Sequence, residues 1–191
     1  MKKFLKIFFY LIFIVFIIGL IIFQYLKFEF NKTFDENKLS ELKSEIQKAK
    51  PLSDEFIKIY NHIHPITNLN GIIQDEFFEK HNRDCPCFMV ARQLIIPVRK
   101  QIQANRYILA SKLEKSFTQE ECLSYLSSIR TFTFGNRGIE NASSFYFKKN
   151  LKELNKREMQ TLILMIENPI RYNPIRNPKE VEEKLRLINK D

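Results

Sequence analysis

Tryptophan is absent from the 191 residues, glycine occurs four times, proline seven and cysteine three. So little glycine and proline excludes collagen-like and low-complexity chains, and three cysteines are too few for a disulfide-stapled miniprotein. Disorder is excluded as well, because 45% of the residues are hydrophobic and can bury a core. What is abundant is phenylalanine, with 18 copies, and positive charge, with 31 Lys+Arg against 22 Asp+Glu for a net +9.

The apolar residues are unevenly spread. Residues 7–23 contain no charge and are mostly Ile, Phe and Leu, and Phe4 and Leu5 extend the run beyond Lys6. That is long enough to cross a bilayer as a helix. A cleavable signal peptide is the alternative. The run exceeds an ordinary signal-peptide core, however, and bulky Gln24-Tyr25-Leu26-Lys27-Phe28 follows where small residues are required, which favours an uncleaved anchor over residues 1–26. Lys2, Lys3 and Lys6 precede the helix, so the positive-inside tendency places the N-terminus in the cytoplasm and the rest outside. Contact with membrane lipids is expected, and nucleic acid is not an expected partner.

Beyond the anchor the charge is lopsided: residues 27–91 hold 9 basic and 11 acidic residues, and residues 92–191 hold 19 and 11. A basic half beside a membrane favours anionic head groups and pyrophosphates. Apolar spacing is helical. Leu39, Leu42, Ile46 and Ala49 share one face, and Phe56, Ile59, Tyr60 and Ile63 share another behind the expected cap Ser53. Pro97 is placed to open a helix through Val98, Ile102, Leu109 and Leu113. Thr118 with Glu121, and Asn155 with Glu158, are capping-box patterns. Thr131-Phe132-Thr133-Phe134 before Gly135 reads as a short strand or an extended loop. Neither an internal repeat nor a low-complexity linker stands out, so the chain is read as mostly α, with a helical membrane-proximal segment over 27–71 and a domain over 72–191.

The C-terminal third is specific. Leu113-Glu114 is followed by Tyr125-Leu126, Phe134-Gly135, Gly138-Ile139-Glu140-Asn141-Ala142-Ser143, Tyr146-Phe147-Lys148-Lys149, Leu154 with Glu158, and Pro169-Ile170-Arg171-Tyr172-Asn173-Pro174. In order and near-register this resembles the family 51 glycosyltransferases, the peptidoglycan-polymerising domains of class A penicillin-binding proteins, with their LE, YLN, FG, GIxxAAxxYFxK, LxxxE and PxxYNP elements. Ser127 stands where the family has asparagine. Upstream, the family's EDxxFxxHxG can be laid on residues 74–83, where Asp75, Phe78 and His81 match. Gln74 occupies the place of the glutamate proposed as catalytic base, and Arg83 that of the glycine. GGSTITQQL survives only as Cys87-Phe88-Met89-Val90-Ala91-Arg92-Gln93-Leu94, with the segment before it shortened. RKxxE is replaced. Counting back from Glu114 puts Arg106 at the second glutamate and Gln103 at the lysine, whereas sliding onto the literal Arg99-Lys100 pair puts Gln103 at the glutamate.

The resemblance implies a lysozyme-like α fold handling lipid-linked disaccharide-peptide (lipid II) or the nascent glycan strand, at the outer face of a bacterial cytoplasmic membrane and beside other cell-wall synthesis proteins. It implies substrate contacts at Asp75, His81, Arg99, Lys100, Arg106 and Lys149, and no cofactor. Family chemistry needs a carboxylate to take the attacking hydroxyl's proton, which Gln74 and Arg106 cannot do. General-base catalysis contributes about 10² to 10⁴ in rate. Glu76 and Glu79 are nearby, but on a helix they project roughly 200° and 140° from position 74. Two readings follow: a divergent glycosyltransferase with weak or no catalysis, or a catalytically dead scaffold or regulator. An unrelated helical interaction protein is a third. Cys85 and Cys87, with His62, His64 and His81, include zinc-type ligands, but the spacing fits no metal signature and none is expected. A Cys85–Cys87 bond would be tight, and Cys122 reads as a small buried apolar residue.

Overall fold

The computed structural model describes residues 2–77, 83–95 and 104–190. Among them are ten α-helices: α1 (Lys2–Thr33), α2 (Glu36–Lys48), α3 (Asp54–Ile63), α4 (Leu69–Phe77), α5 (Pro86–Leu94), α6 (Ala104–Glu114), α7 (Gln119–Ile129), α8 (Ile139–Phe147), α9 (Lys156–Glu167) and α10 (Pro178–Ile188). No strand occurs among the described residues; Thr131 and Arg137 form an isolated bridge around a single 3₁₀ turn, Thr133–Gly135. Of the helix expected to open at Pro97, Pro97, Val98 and Ile102 lie outside the described residues, and Leu109 and Leu113 are buried on α6.

The helices begin where their side chains can satisfy orphan backbone donors. Ser53 Oγ accepts from the Phe56 amide on α3. Thr118 with Glu121, and Asn155 with Glu158, close reciprocal capping boxes on α7 and α9. Gly138 precedes α8 at φ 85°, and a Cβ there would meet the Ser128 carbonyl oxygen at 2.8 Å, so only glycine fits this entry.

Helix α9 is the centre of the core. Every residue from Met159 to Ile166 is buried, as expected of a helix surrounded on all sides. α3, α8 and α10 lie against it, and α2 covers α7, so Leu42, Ile46, Phe56, Ile59 and Tyr60 join the same core as Ile139, Ala142, Leu162 and Met165. Contacts at both ends fix the directions of the central trio. Cys87 meets Cys122 at one end and Gln93 meets Arg130 at the other, so α5 and α7 run parallel. Glu114 meets Cys85 while Arg106 meets Ile95, so α6 runs antiparallel to both.

The cysteines correct the sequence reading. Cys87 and Cys122 form a disulfide with Cα atoms 5.0 Å apart, and Cys85 is the free, buried thiol. Cys122 has the burial expected of an apolar residue, but its neighbour across the α5/α7 contact is another sulfur. No spacing rule links positions 35 apart on two helices.

Ser127 is fully buried on α7 and its hydroxyl has no hydrogen-bond partner among the described residues. Removing a desolvated, unpaired hydroxyl relieves its burial cost. Ser127→Ala is therefore expected to stabilise by about 1 kcal/mol, raising Tm by roughly 2–4 °C. A lower Tm by calorimetry would show that the hydroxyl has a partner after all.

Candidate functional site

Helix α4 carries the start of the stretch expected to correspond to the family's first signature, and its geometry separates three adjacent residues. Gln74 is exposed, Asp75 is turned inward at 6% exposure, and Glu76 is exposed again. The Asp75 carboxylate is clamped by Arg83, whose Nε donates to Oδ2 at 2.7 Å and whose Nη2 pairs with Oδ1. Nη2 also reaches the Gly71 carbonyl at 3.4 Å. The hydrogen bond to Asp75 raises the Arg83 guanidinium pKa above its usual value. Arg83, at the position where the resemblance expects glycine, thus folds back onto Asp75.

Glu76 is occupied as well. Its Oε2 accepts from the Tyr107 hydroxyl of α6 at 2.6 Å. Burial first, and then this carboxylate, push Tyr107 up to about 12, so the phenol stays a donor to Glu76 at neutral pH. Next along α6, Arg106 donates from Nε to the Ile95 carbonyl at 3.0 Å, closing the end of α5. Arg130, at the end of α7, donates to Gln93 Oε1 and to the Glu167 carbonyl, each at 3.0 Å. Burial, and then the like charge of Arg92, lower the Arg130 pKa. The ends of α5, α7 and α9 therefore meet the start of α6 in a zone that gathers Arg92, Arg106 and Arg130, a charge that suits an anion.

At the opposite end Glu114 is a junction. Its Oε1 accepts from the Leu69 amide at 2.7 Å, the Gln119 side-chain amide at 2.6 Å and the Cys85 thiol at 3.3 Å. Burial, foremost, drives the Cys85 thiol up to about 12. Lys149, expected at the substrate, bonds both carboxylate oxygens of Glu158 at 2.7 and 2.9 Å. That pairing ties the family's YFxK lysine to its LxxxE glutamate. Desolvation raises Glu158, but the Lys149 bond and the capping amides outweigh it and hold the carboxyl below its usual value.

Of the expected site residues, Gln74, Asp75 and Arg106 lie on α4 and α6, which pack together, and Lys149 lies beyond the end of α8. His81, Arg99, Lys100 and Glu79 lie outside the described residues. Arg83 enters the sequence reading only as a departure from the family's glycine, and Tyr107 and Arg130 do not enter it as site residues. Each meets its partner across 8, 31 or 37 residues, separations that leave no periodic signal.

The family profile described as Transglycosylase matches residues 91–191, just over half of the chain. Penicillin-binding protein 1A of Pseudomonas aeruginosa is 36% identical over 87 residues, 44% of this chain and 10% of that protein. Penicillin-binding protein 1A of Streptococcus oralis is 31% identical over 86 residues, 45% of this chain and 14% of that protein. The biosynthetic peptidoglycan transglycosylase of Haemophilus influenzae is 37% identical over 60 residues, 31% of this chain and 25% of that protein. The matched part of this chain thus spans a quarter or less of each of these relatives. With ten α-helices among the described residues, a core centred on the buried α9, and the signature elements from Glu114 to Pro174 in order, the chain belongs to the transglycosylase family and has its mostly α, lysozyme-like fold.

Proposed function

We propose that this protein is a membrane-anchored member of the family that binds lipid II or the nascent glycan strand during cell-wall synthesis and transfers glycosyl groups weakly or not at all. The observation that carries the reading is Gln74: an exposed amide stands at the family's base position, and the adjacent carboxylates are engaged by Arg83 and Tyr107. An amide cannot accept the proton of an attacking hydroxyl. Arginines can still hold a pyrophosphate through charge-assisted bonds.

Three features support an anchored domain on the outer face. α1 carries a span, Lys6–Thr33, long and apolar enough to cross a membrane. Lys2, Lys3 and Lys6 favour retention of the N-terminus in the cytoplasm. The Cys87–Cys122 disulfide suits an oxidising compartment. A role as scaffold or regulator for a partner polymerase follows if binding persists without turnover.

The test is binding of labelled lipid II to the full-length protein in nanodiscs. Saturable binding that weakens as ionic strength rises is expected, because screening acts on the arginine–pyrophosphate attraction. Absence of binding at low salt would remove the lipid II reading and leave the partner scaffold.

A further inference from the structure

Among the described residues, two that are not glycine hold a left-handed backbone: Phe134 at φ 63° and Lys148 at φ 57°. An L side chain adopts that region at a cost, and glycine adopts it freely. Neither position is filled by the residue that fits it best, and both side chains belong to one surface stack. The Arg176 guanidinium lies 4.5 Å from the Phe134 ring centroid, the Phe134 and Phe145 rings are 5.6 Å apart, and the Lys148 ammonium lies 5.4 Å from the Phe145 ring. Strain retained at two members of one surface points to a use for that surface.

The stack stands on a fixed base. Thr133, next to Phe134, bonds through its hydroxyl to the Tyr146 hydroxyl on α8 and to the Asn173 side-chain amide. Asn173 is fully buried, and its Oδ1 accepts from the Ile175 and Arg176 amides at 2.9 and 3.0 Å. The 3₁₀ turn, the end of α8 and the turn before α10 therefore meet, and each contributes to the stack. Phe134 is 48% exposed, and Lys148 and Arg176 are exposed. Their charge is uncompensated. Lys149 and Arg171 nearby in sequence pair with Glu158 and Glu180, whereas Lys148 donates to the Phe145 carbonyl at 3.1 Å, and neither it nor Arg176 has a carboxylate partner among the described residues.

We propose that this cation–aromatic stack is a docking surface for an acidic segment of a partner protein, with carboxylates on Arg176 and Lys148 and an apolar side chain against the exposed part of Phe134. The proposal deepens the scaffold reading given above and rests on it. Charge complementarity selects the occupant: two unpaired cations with rings between them match carboxylates that flank an apolar residue. An extended peptide of about five residues reaches from one cation to the other along the stack. A sugar ring would need an open aromatic face, and here a cation already lies over each of the two rings.

The test is fluorescence anisotropy with full-length protein in zwitterionic nanodiscs and a labelled Glu-Asp-Leu-Asp-Glu peptide, beside its amide counterpart Gln-Asn-Leu-Asn-Gln. The acidic peptide should bind more tightly by about tenfold or more, and less so as salt rises. Arg176→Gln with Lys148→Gln should weaken it about tenfold, since an exposed charge pair contributes up to about fivefold. Lys48→Gln with Lys58→Gln, on α2 and α3, should not. Phe134→Gly with Lys148→Gly separates docking from packing: binding should weaken while Tm stays unchanged or rises, because glycine relieves both left-handed positions. A lower Tm in that variant would assign the two side chains to packing and overturn the docking role. Equal affinity for the two peptides, or an equal loss in the Lys48 and Lys58 variant, would overturn it as well, and lipid II binding by the same preparation would then leave the substrate reading intact. Displacement of the acidic peptide by soluble, peptide-free glycan strands would overturn the proposal by assigning the surface to the glycan. Glycan synthesis by the same preparation would overturn the scaffold reading itself, and the proposal with it.

Discussion

No glycan polymer is expected when the purified full-length protein is incubated with labelled lipid II under conditions in which an active family member consumes it. Losing a general base alone costs about 10² to 10⁴ in rate. On the proposed alignment Gln74 stands for the first glutamate and Arg106 or Gln103 for the second, so neither position offers a carboxylate, and the Arg106 Nε donates to the Ile95 carbonyl. Gln74→Glu should not restore turnover, because it returns one carboxylate while the proposed second position still lacks one. Robust synthesis by the unmodified protein would overturn the pseudoenzyme reading and direct attention to Glu76. In that event Tyr107→Phe, which removes the 2.6 Å bond to Glu76, should alter the pH profile of the rate.

The parts of this structure legible in the sequence are those fixed by near neighbours. Thr118 with Glu121, Asn155 with Glu158 and Ser53 with Phe56 lie three residues apart, and each cap forms where that spacing places it. The buried faces of α2 and α3 follow from apolar residues three and four apart. In α9 all eight residues from Met159 to Ile166 are buried, including Gln160 and Thr161, so a 3.6-residue stripe marks only part of what the core encloses. The site is less legible because its contacts are non-local. Arg83 closing on Asp75 requires the chain to reverse after α4, and Arg130 reaching Gln93 requires α5 and α7 to run parallel. The aromatic of the Phe-Gly pair is half-exposed beneath Arg176, whereas Phe132, two residues earlier, fills the core.

Reduction of the Cys87–Cys122 bond is expected to cost about 4 kcal/mol of stability and lower Tm by roughly 10 °C. The bond joins positions 35 apart, and a loop of that length loses about this much chain entropy in the unfolded state. Its location magnifies the consequence. Cys87 sits in the first turn of α5, directly after the shortened motif segment, and its amide donates to Gln119 Oε1 at 3.0 Å. The covalent bond therefore holds α5 in register with α7, and through Gln93 and Arg130 it also supports the far end of that pair. Cys85 does not threaten it. Burial keeps that thiol near a pKa of about 12, so little thiolate exists at neutral pH to attack the neighbouring disulfide. Cys122→Ala should reproduce the loss seen on reduction, and Cys85→Ser should leave the reduction-sensitive increment in place, because a serine hydroxyl can still donate to Glu114. The measurement is thermal unfolding of full-length protein with and without reductant, beside thiol counting by mass spectrometry. Three free thiols in the isolated full-length protein, or an unchanged Tm on reduction, would show that α5 and α7 are held by packing alone.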